Sequence, residues 1–412
     1  MPRIIPLAVA LLLGLQLTSC SKSPEPATEP QIESTAEKAQ RIANTSIIVD
    51  THIDLPMRLA MVDSDITQEQ SRFDFDYPKA VAGGLNVPFM SVYTAAELEA
   101  EGKSKEKAEQ IIDVVESIEK RWPDKFKIAR STADVREQFA AGLMSLPMGM
   151  ENGSPIEGDL DNVQYFYDRG IRYITLAHSL SNHLSDSSYD DERKWNGLSP
   201  LGKQTIVEMN RLGIMVDVSH LSDDAFWQVM EVTKAPAIAS HSSARHFTPG
   251  AERNMNDEMI KALAENGGVI QINFGSYFVT REAREYGSAR SAAAKIYQAD
   301  HPEATSTFMY TEYPAIYAAE NGAYPYASLD DVLDHFDHVV SLVGVDHVGV
   351  GSDYEGVGDS LPEGIKNVSG YPNLIEGLLG RGYSEEDIQK ILGENLLRVW
   401  RQVEEYAAAA AT

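Results

Sequence analysis

The chain has 412 residues, 43% of them hydrophobic, which is ample material for one large buried core. Its 62 acidic and 35 basic side chains give a net charge of −27, which argues against nucleic acid and anionic lipid surfaces as partners. The single cysteine, Cys20, leaves no intramolecular disulfide, so stability has to come from packing and any bound ion.

The first residues read as an export signal: Arg3 supplies a positive start, residues 4–15 are apolar, and Leu17-Thr18-Ser19-Cys20 closes the segment. The apolar run is shorter than the ~20 residues of a spanning helix. It resembles a bacterial lipoprotein signal, which implies cleavage of residues 1–19 and lipidation of Cys20. With Ser21 next, the expected location is the outer membrane or periplasm. Residues 20–40, with Pro24, Pro26 and Pro30, are expected to form a lipid-anchored flexible tether. Residues 41–406 then form one domain, and 407–412 a short tail.

Eight apolar, strand-like runs follow in order: 46–50, 84–93, 146–150, 171–177, 213–218, 236–240, 267–274 and 347–352. Between them, residues 103–122, 201–211, 223–232, 257–265 and 329–343 have the apolar spacing of helices. Ser384-Glu385-Glu386-Asp387 reads as a capped helix start, and the helix after it is expected to pack on the outside of the fold. Eight strands alternating with helices predict a (β/α)8 barrel, whose strands all point toward one reactive face.

That face collects groups that bind divalent metals. The first run delivers His52 and Asp54, which lie two apart and so point the same way on a strand. The third delivers Glu151, whose two oxygens can hold two ions at once, ~3.5–4 Å apart. The fifth and sixth end in Ser219-His220 and Ser240-His241, and imidazole is a favoured zinc ligand. The fourth and eighth runs lead into His178 and Asp353. Each residue alone is unremarkable; together, at the ends of successive strands, they predict a metal centre.

These stretches, together with Val49-Asp50-Thr51-His52-Ile53-Asp54, Thr175-Leu176-Ala177-His178-Ser179, Arg253-Asn254 and Gly349-Val350-Gly351-Ser352-Asp353, resemble the membrane (renal) dipeptidase family of metallopeptidases over most of residues 47–400. The resemblance implies two zinc ions, one held by His52 and Asp54, the other by His220 and His241, with Glu151 between them. It implies a hydroxide shared by both metals as nucleophile on the peptide bond of a dipeptide, including dipeptides with a C-terminal D-residue. His178 is then expected to stabilise the oxyanion, and Asp353 to move the proton or to serve as an additional metal ligand. Arg253 and Asn254 are expected to bind the substrate, the guanidinium taking its free carboxylate.

The chain departs from better-known members at Asn152-Gly153-Ser154-Pro155 and Asn86-Val87-Pro88-Phe89, and its tyrosine-rich segment 278–327 is longer than a barrel connection needs. That segment is expected to be a lid or a homodimer contact. Two other functions fit less of the pattern. One is an amidohydrolase-like enzyme acting on another amide, ester or lactone, β-lactams included. The other is a surface lipoprotein that binds peptides without cleaving them.

Overall fold

A computed structural model describes residues 1–4 and 33–410. Met1–Ser34 and Thr35–Thr412 are separate compact units, and Cys20 lies outside the described residues. No helix among the described residues is long and apolar enough to cross a membrane.

In the second unit, eight strands lie side by side in chain order, all parallel. They are β1 (Ile48–Ile53), β2 (Leu85–Tyr93), β3 (Met148–Glu151), β4 (Ile171–Thr175), β5 (Met215–Asp217), β6 (Ile238–Ala239), β7 (Val269–Ile272) and β8 (Val348–Val350). The ring closes between the first and last through a single parallel bridge, Ile53 to Tyr354. The Asp353 N–H donates to His52 O at 3.1 Å beside that bridge. This is the expected (β/α)8 barrel; β5 to β8 are shorter at both ends than the apolar runs that announced them, whereas β1 and β3 start later than theirs and run past their ends.

Strand alternation divides the apolar core into two bodies. Ile48, Met90, Ile174, Val216 and Ile270 face the surrounding helices, while their neighbours Val49, Phe89, Tyr173, Met215 and Val269 face the barrel interior. The interior set is completed by Leu396, Trp400 and Val403 of the helix Asn395–Ala410, with the Trp400 ring 5.4 Å from Phe89. Asn395–Ala410 therefore covers the floor of the barrel, while the capped turn at Ser384 that leads into it buries Ile388, Ile391 and Leu392 in the helix-facing core outside the barrel, as expected. The reason is supply: the short strands leave the interior open near their starts, and a tryptophan on a helix fills the gap.

The structured unit also begins earlier than composition implied, with the helix Thr35–Thr45, whose Ala39, Ile42 and Ala43 are buried. At the other end, helix continues to Ala410, past residue 406. At the C-terminal rim, helices start close behind two of the rim residues, Leu55–Met61 directly after Asp54 and Asp223–Val232 three residues past His220. Ser222, two residues past His220, accepts a hydrogen bond from Ala225 N–H and caps Asp223–Val232, which fixes the exit of that loop. The segment between β7 and β8 folds into further helices, the longest being Arg281–Asp300.

Candidate active site

The strand ends bring together the residues that the sequence singled out. Glu151 sits at the centre, buried. Its Oε2 lies 3.4 Å from His52 Nε2, and its Oε1 lies 3.2 Å from His220 Nε2 and 3.3 Å from His241 Nε2. Asp54 Oδ2 is 3.5 Å from His52 Nε2, and Asp353 reaches the same group from β8. His220 and Asp353 both hold left-handed backbone, with φ of 68° and 65°. That conformation costs of order 1 kcal/mol or more for a residue with a Cβ, and it turns both side chains inward.

Protons in this cluster can be assigned from its hydrogen bonds. Tyr173 has one hydroxyl proton, which goes to Thr51 O at 3.0 Å; its oxygen therefore accepts from His52 Nδ1 at 2.9 Å. That leaves His52 Nε2, which has no hydrogen-bond partner of its own and faces two carboxylates, to take up a proton or a cation. Ser240 Oγ donates to Asp217 Oδ2 at 2.6 Å, so it accepts from His241 Nδ1 at 2.8 Å, and His241 Nε2 carries a lone pair. His220 Nε2 accepts from the Arg253 guanidinium at 3.0 Å. Two unprotonated imidazole nitrogens thus lie 2.8 Å apart, with a carboxylate oxygen within 3.3 Å of both.

Like charges and lone pairs at such distances repel, and a cation among them removes the repulsion. Ionisation follows the same logic. Burial disfavours a charge on His52, yet Tyr173, Glu151 and Asp54 outweigh it and hold its pKa well above the usual value, so that a proton takes a cation's place. Burial, helped by Arg253, holds His220 well below the usual value; burial and the nearby His52 do the same for His241. Both are neutral imidazoles, the form that binds metals. The donor set therefore fits divalent metal ions.

The outer residues are arranged around this centre. Burial, reinforced by the Asp54 and Glu151 carboxylates, pushes Asp353 up to about 7, and Asn273 donates to its Oδ2 at 2.7 Å. His178 Nε2 is 3.4 Å from Glu151 Oε1, and burial with the Arg253 charge lowers its pKa, leaving a neutral ring. Above them opens a cavity of about 880 Å³, lined by Asp54, Glu151, His178, His220 and Asp353.

Arg253 lies behind His220, outside the cavity lining, donating to Ser242 Oγ at 2.8 Å and His241 O at 2.7 Å. Asn254, also expected to touch substrate, stands outside the cavity lining. Its amide donates to Thr248 Oγ1 at 2.7 Å and Phe278 O at 2.8 Å, and its oxygen accepts from Ser243 N–H. With its donors spent inside the loop, it shapes the turn that holds Arg253.

Sequence reasoning passed over Tyr173, Asp217 and Asp50. Asp217 accepts from Ser219 N–H, Ser240 N–H, Ser240 Oγ and Thr175 Oγ1, and so orients both histidine-bearing loops. Asp50 accepts from His52 N–H and Ser352 N–H and ties β1 to β8 at the rim. A carboxylate inside an otherwise apolar strand was the available signal for both.

Comparison with known proteins agrees with this geometry. The sequence profile of the membrane dipeptidase family, peptidase family M19, matches residues 36–412. The chain belongs to the membrane dipeptidase family. Among its relatives, the dipeptidase aclJ of Aspergillus oryzae is 34% identical over 343 residues, 82% of this chain and 71% of that one. The dipeptidase tcpJ of Claviceps purpurea is 32% identical over 300 residues, 73% of this chain, and the match spans 60% of the length of tcpJ.

Of solved structures, the probable dipeptidase PvdM from Pseudomonas aeruginosa superposes with a TM-score of 0.80 at 26% identity, covering 90% of this chain and 99% of that one. A metallo peptidase from Rhodobacter sphaeroides, liganded with a phosphinate mimic of the dipeptide L-Ala-D-Ala, superposes at 0.71 with 25% identity, covering 87% and 99%. Membership of this metallopeptidase family makes the chain an enzyme, and a metal its cofactor.

Proposed function

We propose that this dipeptidase works with two zinc ions and hydrolyses the bond between the two residues of a dipeptide, including dipeptides that end in a D-residue. One observation carries the reading: the two oxygens of Glu151 face separate donor sets, His52 on one side, His220 and His241 on the other. In this arrangement His52 and Asp54 would hold one ion, His220 and His241 the other, and Glu151 both. Imidazole and carboxylate donors suit zinc. Bound there, the ions lower the pKa of a water molecule and polarise the scissile carbonyl.

The chain's own residues supply the rest. Asp353, which favours its ionised form beside positive charge, accepts the proton of the attacking water and returns it to the leaving amine. Neutral His178 lines the cavity and donates a hydrogen bond to the oxygen on which charge develops. Arg253, which reaches His220 Nε2 from outside the cavity lining, takes the substrate carboxylate by giving up the N–H that it shares between His241 O and His220 Nε2. The D-residue part of the reading is supported by the L-Ala-D-Ala mimic held by the Rhodobacter sphaeroides relative.

The test is metal analysis of the purified protein coupled to amino-acid release from L,L and L,D dipeptides. Two zinc equivalents with turnover are expected. Glu151→Gln should lose metal and reduce turnover by more than roughly 100-fold, beyond the range for outer partners of a ligand. Full metal content and turnover in Glu151→Gln would overturn the reading.

A further inference from the structure

The cavity is spacious for a dipeptide of small residues: at about 880 Å³ it stands near the top of the ~300–1,000 Å³ range of small-molecule sites. Part of its wall comes from the segment between β7 and β8, through Tyr277, Phe278, Gly287, Arg290, Tyr310 and Tyr324. On the helix Arg281–Asp300, Ala283, Gly287 and Arg290 are spaced four and three apart, which places them on one face. Ala283 and Gly287 are buried. A Cβ on Gly287 would stand 2.7 Å from the Tyr277 ring, so this face is pressed against the cavity wall.

An apolar residue would be the ordinary choice at the next position of such a face. It holds Arg290 instead, half-buried and lining the cavity. Among the described residues, its guanidinium has no carboxylate within ion-pair distance and no hydrogen bond. Its neighbour is the Tyr324 ring, 5.7 Å from Cζ. The other cavity arginine, Arg58, already faces Glu355 at 3.5 Å. Burial keeps the Tyr324 hydroxyl protonated well beyond neutral pH, so it too can donate. A partly desolvated fork of donors over a tyrosine ring, with no partner of its own, is a receptor for a carboxylate.

We propose that Arg290 makes this dipeptidase selective for dipeptides with an acidic side chain. The main-chain carboxylate belongs to the rim, where Arg253 touches His220; Arg290 stands on a separate wall and reads the side chain. This inference rests on the dipeptidase reading above, and the two can fail separately.

The experiment compares isosteric pairs on the full chain loaded with zinc: Ala-Glu against Ala-Gln, Glu-Ala against Gln-Ala, and Ala-Asp against Ala-Asn. In the wild type, kcat/KM for the acidic member of at least one pair should exceed that of its amide by roughly 10- to 100-fold, the worth of one charge-assisted hydrogen bond. In Arg290→Gln that ratio should fall toward one, and Arg290→Lys should retain part of it. A wild-type ratio near one in every pair overturns the proposal. So does a ratio that survives in Arg290→Gln, or an equal loss on both members of each pair, which would mean that Arg290 reads the main chain. Should no pair be hydrolysed, the hydrolytic reading fails; calorimetric affinities for the same pairs, wild type against Arg290→Gln, then decide the role of Arg290 by the same ratios.

Discussion

Replacing Tyr173 with phenylalanine removes one oxygen and leaves the ring, so the packing against Phe89 and Gly149 persists and the effect is confined to two hydrogen bonds. The hydroxyl accepts from His52 Nδ1 at 2.9 Å and donates to Thr51 O at 3.0 Å, both fully buried. Leaving a buried donor and a buried acceptor unpaired costs ~1–3 kcal/mol each. Urea unfolding should therefore show a loss of roughly 2–6 kcal/mol for the pair. The second consequence is chemical. Without the phenol, nothing fixes the tautomer that aims a lone pair of His52 at the centre, and loss of such a partner typically weakens metal affinity 10- to 100-fold. Chelator competition against the zinc-loaded protein reads this directly. Affinity within about twofold of wild type, well short of that range, would refute the proton assignment for His52.

Two further outcomes follow from the same framework. Gly149→Ala would set a Cβ 1.9 Å from Tyr173 Cζ; it should cost at least ~1–3 kcal/mol by overpacking and weaken zinc binding by displacing the phenol, and a wild-type melting temperature would contradict this. His335, fully buried, accepts from Ala244 N–H at Nδ1 and reaches Val279 O through Nε2, each at 3.0 Å, and burial pushes its pKa from 6.5 down to about 4. As pH falls below 6.5 the unfolded chain takes up this proton first, so the contribution of His335 is complete above 6.5 and drains away toward pH 4, by up to about 3 kcal/mol. The stability difference between wild type and His335→Gln should shrink across that window; a constant difference would exclude the neutral, buried assignment.

How much was legible in the sequence depended on whether a residue's role is local. Strand ends and helix periods are local. The helices Asp223–Val232, Asp257–Glu265 and Leu329–Val343 have the limits that their apolar spacing implied, and His52, Asp54, Glu151, His220 and His241 meet because each directly follows or ends an apolar run. Partnerships across the barrel are not local. A tyrosine in a strand, such as Tyr173, reads as ordinary core until ring closure brings Thr51 and His52 to its hydroxyl. Asn254 carries the right chemistry for a ligand contact, but the loop's own backbone claims it. The helix Thr35–Thr45 was hidden because its buried face is only Ala39, Ile42 and Ala43 in otherwise polar sequence. The turn of the last helix onto the barrel floor from Leu396 onward was hidden because an apolar stripe states that a helix packs and not against what.

The wall formed between β7 and β8 has a consequence for how this enzyme can change. In the mechanism proposed above, proton transfer and ion holding fall to residues at the strand ends that buried networks tie together, where an altered side chain disturbs several partners at once. Arg290 and the tyrosines around it lie in the segment between β7 and β8, outside the strands themselves. Discrimination among substrates can therefore drift, or be re-engineered, by editing that segment alone, while the hydrolytic machinery is inherited intact.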